Sequence, residues 1–216
     1  MQKKVVLALL MAALLAGGVF ADDEFSMSAG GGLLFDYSGG NGIEVSNQYF
    51  SYSMGINNTS FGIYGFFDAT YIEADISLTR GSLSSYSDVP GVKEGDAGSM
   101  TQFGLSVLGK YPTFHPGGFN LFPLYGLSYN AVLSGKNEKG DSFKEAGDYS
   151  QFGILGGIGS DFDLSGPLYI RAEFLIQFRF SSKWQEDWAS SNSRYFNTET
   201  TTGIGPRLKV GVGYKF

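Results

Sequence analysis

Few side chains in this sequence could carry catalysis. The only histidine, His115, lies in Thr113-Phe-His-Pro-Gly-Gly-Phe119, and there is no cysteine. Thiol chemistry, thiolate zinc and disulfide scaffolds are therefore excluded, and one histidine without a partner does not make a transition-metal site. The Pro and Gly beside His115 mark it as a turn residue. Asp161 and Asp163, two apart, could act as acid and base, but charges paired with neighbours account for them equally. Gly156, Gly157 and Gly159 open no helical pattern, so they do not predict a phosphate cradle. No cofactor, metal centre or enzymatic activity is expected.

Two other groups of residues stand out. Charges of both signs recur at alternate positions: Asp36, Asp68, Asp161 and Glu173 against Lys110, Arg171, Arg179, Arg207 and Lys209, with Asp163 and Lys215 near strand ends. Such a set can neutralise itself if it shares one enclosed face. The two tryptophans lie four residues apart in Trp184-Gln-Glu-Asp-Trp188, as candidate surface contacts or interfacial anchors.

The elements that must position these residues show a period of two. Apolar side chains alternate with small or polar ones in eight segments, beginning near Phe25, Phe50, Phe61, Phe103, Leu121, Phe152, Leu168 and Ile204. The seventh is the cleanest, setting Leu168, Ile170, Ala172, Phe174, Ile176, Phe178 and Phe180 against Tyr169, Arg171, Glu173, Leu175, Gln177 and Arg179. Strict alternation predicts strands with one apolar face. The intervening stretches are Gly39–Asn47, Asn57–Ser60, Glu73–Gly98, Thr113–Phe119, Ser134–Asp148, Ser165–Gly166 and Ser181–Thr201, of 9, 4, 26, 7, 15, 2 and 21 residues. Long and short connections alternate, so the long ones emerge at one end. On this count His115 and the formal glycosylation sequons at Asn57 and Asn58 fall in turns at the short-loop end.

Alternation alone does not say which face points outward. An eight-stranded barrel has an interior just wide enough for side chains to fill, and a face of Phe, Tyr, Leu and Ile would overfill it. The opposite face, rich in Gly and Ser, fits. Each Arg or Lys turned to lipid near the midplane would cost about 2–4 kcal/mol, whereas inside the lumen they can pair. The predicted fold is all-β: an eight-stranded antiparallel transmembrane β-barrel, an up-and-down meander, with tyrosines such as Tyr37, Tyr71, Tyr111 and Tyr214 at its rims. A soluble, lipocalin-like lipid carrier with the apolar face inside is the opposing arrangement. Tyr64, Phe66, Phe122, Leu124, Leu155 and Leu175 fall on the lumen face against the pattern, which predicts bulges or an apolar plug.

Composition agrees with a barrel. The 216 residues include 32 Gly, 19 Phe and 13 Tyr, with only 17% charged. A net charge of −6 gives no basic footprint for nucleic acid. Residues 1–21, MQKKVVLALLMAALLAGGVFA, read as a cleaved signal peptide ending at Ala21, which leaves 22–216 as the barrel domain.

The last strand adds a motif. Leu208, Val210, Val212, Tyr214 and Phe216 put apolar side chains at every second position up to a terminal Phe. This resembles the assembly signal of outer-membrane barrel proteins, and with the signal peptide, the eight segments and the loop asymmetry the chain resembles small barrels of the OmpA/OmpX/OmpW type. The resemblance implies a bacterial outer-membrane location, contact with membrane lipid, and recognition by the barrel-assembly machinery. Two roles follow as expectations. One is a monomeric structural and surface-interaction protein with a closed lumen, whose outer loops meet host or cell-surface molecules. The other is a narrow channel for small or apolar solutes.

Overall fold

The computed structural model describes residues 26–91, 95–193 and 196–216; the expected signal peptide and its expected cleavage point after Ala21 lie outside them. The strands are β1 (Met27–Ser46), β2 (Ser51–Ala69), β3 (Ile72–Ser87), β4 (Gly95–Gly109), β5 (Phe119–Lys136), β6 (Gln151–Asp163), β7 (Leu168–Arg179), β8 (Asn197–Thr201) and β9 (Gly203–Lys215). Consecutive strands from β2 to β7 pair antiparallel, and β7 pairs with β9. β1 pairs with β2 on one side and with both β8 and β9 on the other, which closes the ring. β8 and β9 are two halves of one stave interrupted at Thr202, so the barrel has eight staves.

The exterior carries a band of exposed apolar side chains from neighbouring staves, including Leu33, Phe35, Phe61, Ile63, Ile76, Leu78, Leu127, Ile158, Phe174 and Val210. No water-soluble protein of this size leaves so large a contiguous apolar surface uncovered. The band is the lipid-facing surface of a membrane-spanning barrel. Tyr71 and Tyr111 meet edge to face, ring centroids 5.5 Å apart, at the end that also holds Tyr214.

Besides residues 39–46, which are expected as loop but continue β1, two of the predicted boundaries are corrected. The second and third segments are one strand, β2, running straight through Asn57–Ser60; the predicted turn there does not exist, and Asn58 is a buried lumen residue. The predicted 26-residue loop Glu73–Gly98 contains β3. The two errors cancel, so the stave count of eight and the end assigned to His115 are unchanged. At the inner end, connections have 2, 9 and 4 residues, and at the outer end 4, 7, 14 and 17. Much of the outer bulk is therefore strand: β1 to β3 run 16 to 20 residues, against the roughly 9–11 that cross a bilayer.

The seventh connection also holds a helix, α1 (Lys183–Asn192), which the sequence reading treated as loop. Its start is a capping box: Gln185 accepts a hydrogen bond from the Ser182 backbone N–H at 2.8 Å.

Candidate functional site

The lumen has two storeys. In the lower one, alternation brings the predicted charges together and adds two that were hidden in the supposed loop, Glu73 and Asp75. Arg171, fully buried, donates to Asp161 through Nε (2.7 Å), to Glu73 through Nη1 (2.7 Å) and to Asp68 through Nη2 (2.5 Å). Lys209 contacts Glu173 at 2.6 Å, Asp75 at 2.9 Å and Glu73 at 3.1 Å. Lys110 pairs with Asp68. Five carboxylates thus surround three cations in a water-poor interior, where pairing is what makes burial of charge tolerable.

Around this network sit the bulky inward residues, which form an apolar plug. Leu108, Phe122, Leu124, Leu155 and Leu175 make one buried cluster, and Leu34, Tyr64, Phe66 and Tyr169 another. The Arg171 guanidinium lies 4.5 Å from the Phe66 ring centroid, and Lys110 lies 4.4 Å from that of Phe122. Glycines make room for the rings: a Cβ on Gly159 would stand 2.3 Å from Phe122, and one on Gly213 would stand 2.2 Å from Tyr169. The lower lumen is filled with side chains.

The upper storey is built the other way round. A register shift between Ser38 and Asn41 moves the apolar phase of β1 inward, so that Ile43 and Val45 are buried. In β3 the change comes from sequence alone: Glu73, Asp75, Ser77 and Thr79 face in below and Leu83 above, while Ile76 and Leu78 face out below and Arg80, Ser82 and Ser84 above. β2 changes at Thr59, with Met54 and Ile56 lining the interior above it. This end stands in water outside the membrane, so its polar face points outward.

The upper storey encloses a cavity of about 420 Å³, within the range of small-ligand sites. Its walls include Ile43, Met54, Ile56, Leu83, Met100, Phe143 and Tyr149, and Trp184 and Trp188 line it from α1. The helix is fixed over the mouth by polar contacts: Gln185 Nε2 donates to the Gly42 carbonyl (2.9 Å), Thr198 Oγ1 donates to the Ala189 carbonyl (2.8 Å), and Lys183 pairs with Asp148 at 3.0 Å. Trp184 stacks on Tyr149 with centroids 5.4 Å apart, and Tyr149 on Phe143 at 4.9 Å. The Lys183 ammonium lowers the pKa of the Asp148 carboxyl by hydrogen bonding to it, and the same bond raises the pKa of Lys183.

Between the storeys lies a second charged group. Asp36 Oδ2 accepts from both Arg179 Nη2 and Arg207 Nη2, the latter at 3.0 Å. Arg207 also donates to Asn130 Oδ1 at 3.2 Å, and Arg179 donates to Gln177 Oε1 at 3.2 Å. Arg179 lines the cavity floor.

The remaining predicted residues are accounted for by position. Leu208, Val210, Val212 and Tyr214 point outward from β9, and Phe216 is exposed just beyond it. Asp163 pairs with Lys215 at the inner rim, at 2.5 Å. His115 lies in the β4–β5 connection at the inner end, its Nδ1 2.6 Å from Asn120 Oδ1, at the opposite end of the barrel from the cavity. The tryptophans, expected as surface contacts or interfacial anchors, line the cavity from α1, although Trp184 remains 38% exposed. The sequence reading missed the cavity. Its signals were the apolar Ile43, Met54, Ile56 and Leu83 in segments whose phase had changed, and the Ser182-to-Gln185 cap ahead of two tryptophans spaced i, i+4.

No protein-family profile matches the sequence, and no curated protein matches it. Among solved structures, the outer membrane protein OprG from Pseudomonas aeruginosa superposes with a TM-score of 0.51 at 13% identity, covering 88% of this chain and 95% of that one. A major outer membrane protein of Thermus thermophilus gives 0.47 at 14% identity, over 90% of this chain and 100% of the other. Neisserial surface protein A gives 0.44 at 14% identity, over 89% and 97%. At 13% identity the superposition on OprG establishes the fold alone: an outer-membrane type β-barrel.

Proposed function

We propose that the chain is a sealed barrel of the bacterial outer membrane that captures a small apolar molecule at its outer mouth. The observation that carries this is one apolar, lidded cavity of about 420 Å³ standing directly above a lumen filled by charge pairs and rings. An open pore needs a continuous aqueous path, and the rings and charge pairs packed across the lower storey support a closed lumen. A cavity walled by Ile, Met, Leu and Trp side chains has no polar role to perform for the barrel itself, and apolar burial of a ligand there is favourable at about 25 cal/mol per Å². The narrow-channel reading is thus narrowed to the upper half of the lumen, and the surface-interaction reading to the lid and the 14-residue β5–β6 connection that frame the mouth.

Both tryptophans of the chain line this cavity, so their emission reports its occupancy. Protein folded in lipid vesicles is expected to show a saturable change in tryptophan emission on titration with decanol, and no porin-sized conductance steps in planar bilayers. Porin-sized steps, or an emission change that only follows partitioning of the alcohol into lipid, would sink the proposal.

A further inference from the structure

The cavity floor is not neutral. The charges buried in the lumen are distributed unevenly along its axis. In the lower storey Asp68, Glu73, Asp75, Asp161 and Glu173 outnumber Lys110, Arg171 and Lys209; beneath the cavity Arg179 and Arg207 share the single carboxylate of Asp36. That upper group has one more cation than anion. Along β7 the two groups are separated by Leu175 and Gln177, both buried, so the lower surplus of carboxylates does not make direct contact with Arg179.

Hydrogen bonding at this level is incomplete. Arg179 donates to Gln177 through Nε and Nη2 and to Asp36 through Nη2, and its guanidinium borders the cavity while sharing that one carboxylate with Arg207. Arg207 Nε and Asn130 Nδ2 are buried donors with no partner, and Asp36 Oδ1 and Asn58 Oδ1 are buried acceptors with none, so this level of the lumen has unmet hydrogen bonds of both kinds. Buried polar groups without partners are rare because each gives up its hydration without compensation. Here they cluster where a guanidinium meets an apolar chamber. The two guanidinia share one carboxylate, so their charge calls for a further anion, and the apolar walls above require the rest of that molecule to be apolar.

We propose that the ligand of the outer cavity is an apolar carboxylate, a medium-chain fatty acid or an acid of similar size, with its carboxylate on Arg179 and its chain among Ile43, Met54, Leu83 and Trp188. The proposal rests on the capture reading above and names its ligand class. A carboxylate is matched to a guanidinium in charge and in its two acceptor oxygens. Entry is from the outer side, past α1, and the tail lies along the aliphatic wall while the Arg179–Asp36–Arg207 triad becomes charge-neutral.

The test compares three ligands of one chain length, decanoate, decanol and decyltrimethylammonium, on the folded barrel in vesicles at neutral pH, read by calorimetry and tryptophan emission. Decanoate is expected to bind at least about tenfold tighter than decanol, the scale of one charge-assisted hydrogen bond in a desolvated site, with the ammonium weakest. In Arg179→Gln the decanoate advantage should vanish while decanol binding persists. Equal affinity for decanoate and decanol in the unaltered protein overturns the carboxylate assignment and leaves apolar capture standing. Binding of none of the three overturns both. Should Arg179→Gln fail to fold, the order of the three ligands on the unaltered protein decides the matter alone, and a preference for the ammonium overturns the assignment.

Discussion

In the lower storey of the barrel Phe174 and Val210 face lipid while Arg171 and Lys209 point inward onto carboxylates; in the upper storey Arg80 and Ser82 face water while Leu83 and Ile43 face inward. The same closed sheet carries both arrangements, and its polarity reverses where its surroundings change from hydrocarbon to water. Below, solvation by lipid forces the polar groups into the lumen, and there they must neutralise one another, so the lumen is filled. Above, water solvates the outer face and the lumen is free to be apolar and hollow. Sealing and binding are in this way assigned to different heights of one barrel.

The largest expected effect breaks the lower storey alone. Arg171→Met removes the hub of Asp68, Glu73 and Asp161 and leaves three buried carboxylates short of a cation. Breaking a buried ion pair from one side costs about 3–5 kcal/mol, and urea unfolding of the barrel in vesicles should show a loss of that size. Tryptophan-reported binding in the fraction that remains folded should be unchanged. A loss of binding as great as the loss of stability would mean the storeys are not independent. Gly159→Leu probes the same region through packing. The new side chain would collide with Phe122, and overpacking of this kind costs about 1–3 kcal/mol. Unaltered stability would show that the plug is looser than its contacts indicate.

The complementary change leaves stability alone and weakens the ligand. Trp184→Ala removes a ring that covers the mouth and stacks on Tyr149, at a position with no part in the sealed lumen. Affinity for decanol should fall about tenfold, or ~1.4 kcal/mol, while the urea midpoint stays within error. A shifted midpoint with intact affinity would make the helix a structural brace instead of a lid.

The reversal of polarity also explains what could be read from the sequence and what could not. β7 was fully legible because Leu168 to Phe180 never change phase: the stave lies within the membrane from end to end. β2 was misread as two strands because Phe50 to Ile56 place apolar residues on even positions and Phe61 to Phe67 on odd ones. A change of face along one strand looks, in sequence, like a change of direction. β3 was lost for a related reason. With Glu73, Asp75, Ser77 and Thr79 inward below and Arg80, Ser82 and Ser84 outward above, no apolar face persists along its length, and its polar residues read as loop. The charge network was half legible, since Arg171, Lys209 and Asp36 sit on regular staves while Glu73 and Asp75 sat on the missing one. The cavity needed both corrections at once, because its walls come from the upper parts of β1, β2 and β3 and its lid from an unpredicted helix.

The smallest effect concerns the contact between Lys183 and Asp148, which ties the helix to the β5–β6 connection at 3.0 Å. Both groups are open to water, so the pair contributes little to the barrel. It can act only on how often the lid lifts. The signs are fixed by the bond itself. Asp148 titrates below its ordinary value because Lys183 donates to it, so its contribution is complete above that ordinary value and fades as pH falls through the lowered one. Lys183 titrates above its ordinary value because Asp148 accepts from it, so its contribution is complete below that value and fades as pH rises through the raised one. Between about pH 5 and pH 9, inside the ordinary carboxylate and ammonium ranges, the rate of decanol release should be flat. Lys183→Met should raise that rate severalfold at low salt and much less at 1 M salt, where the screening length is only about 3 Å. Stopped-flow tryptophan emission reads it directly. A release rate that varies across the neutral range, or one untouched by Lys183→Met, would mean that Gln185 on the Gly42 carbonyl and Thr198 on the Ala189 carbonyl hold the lid without help from the surface pair.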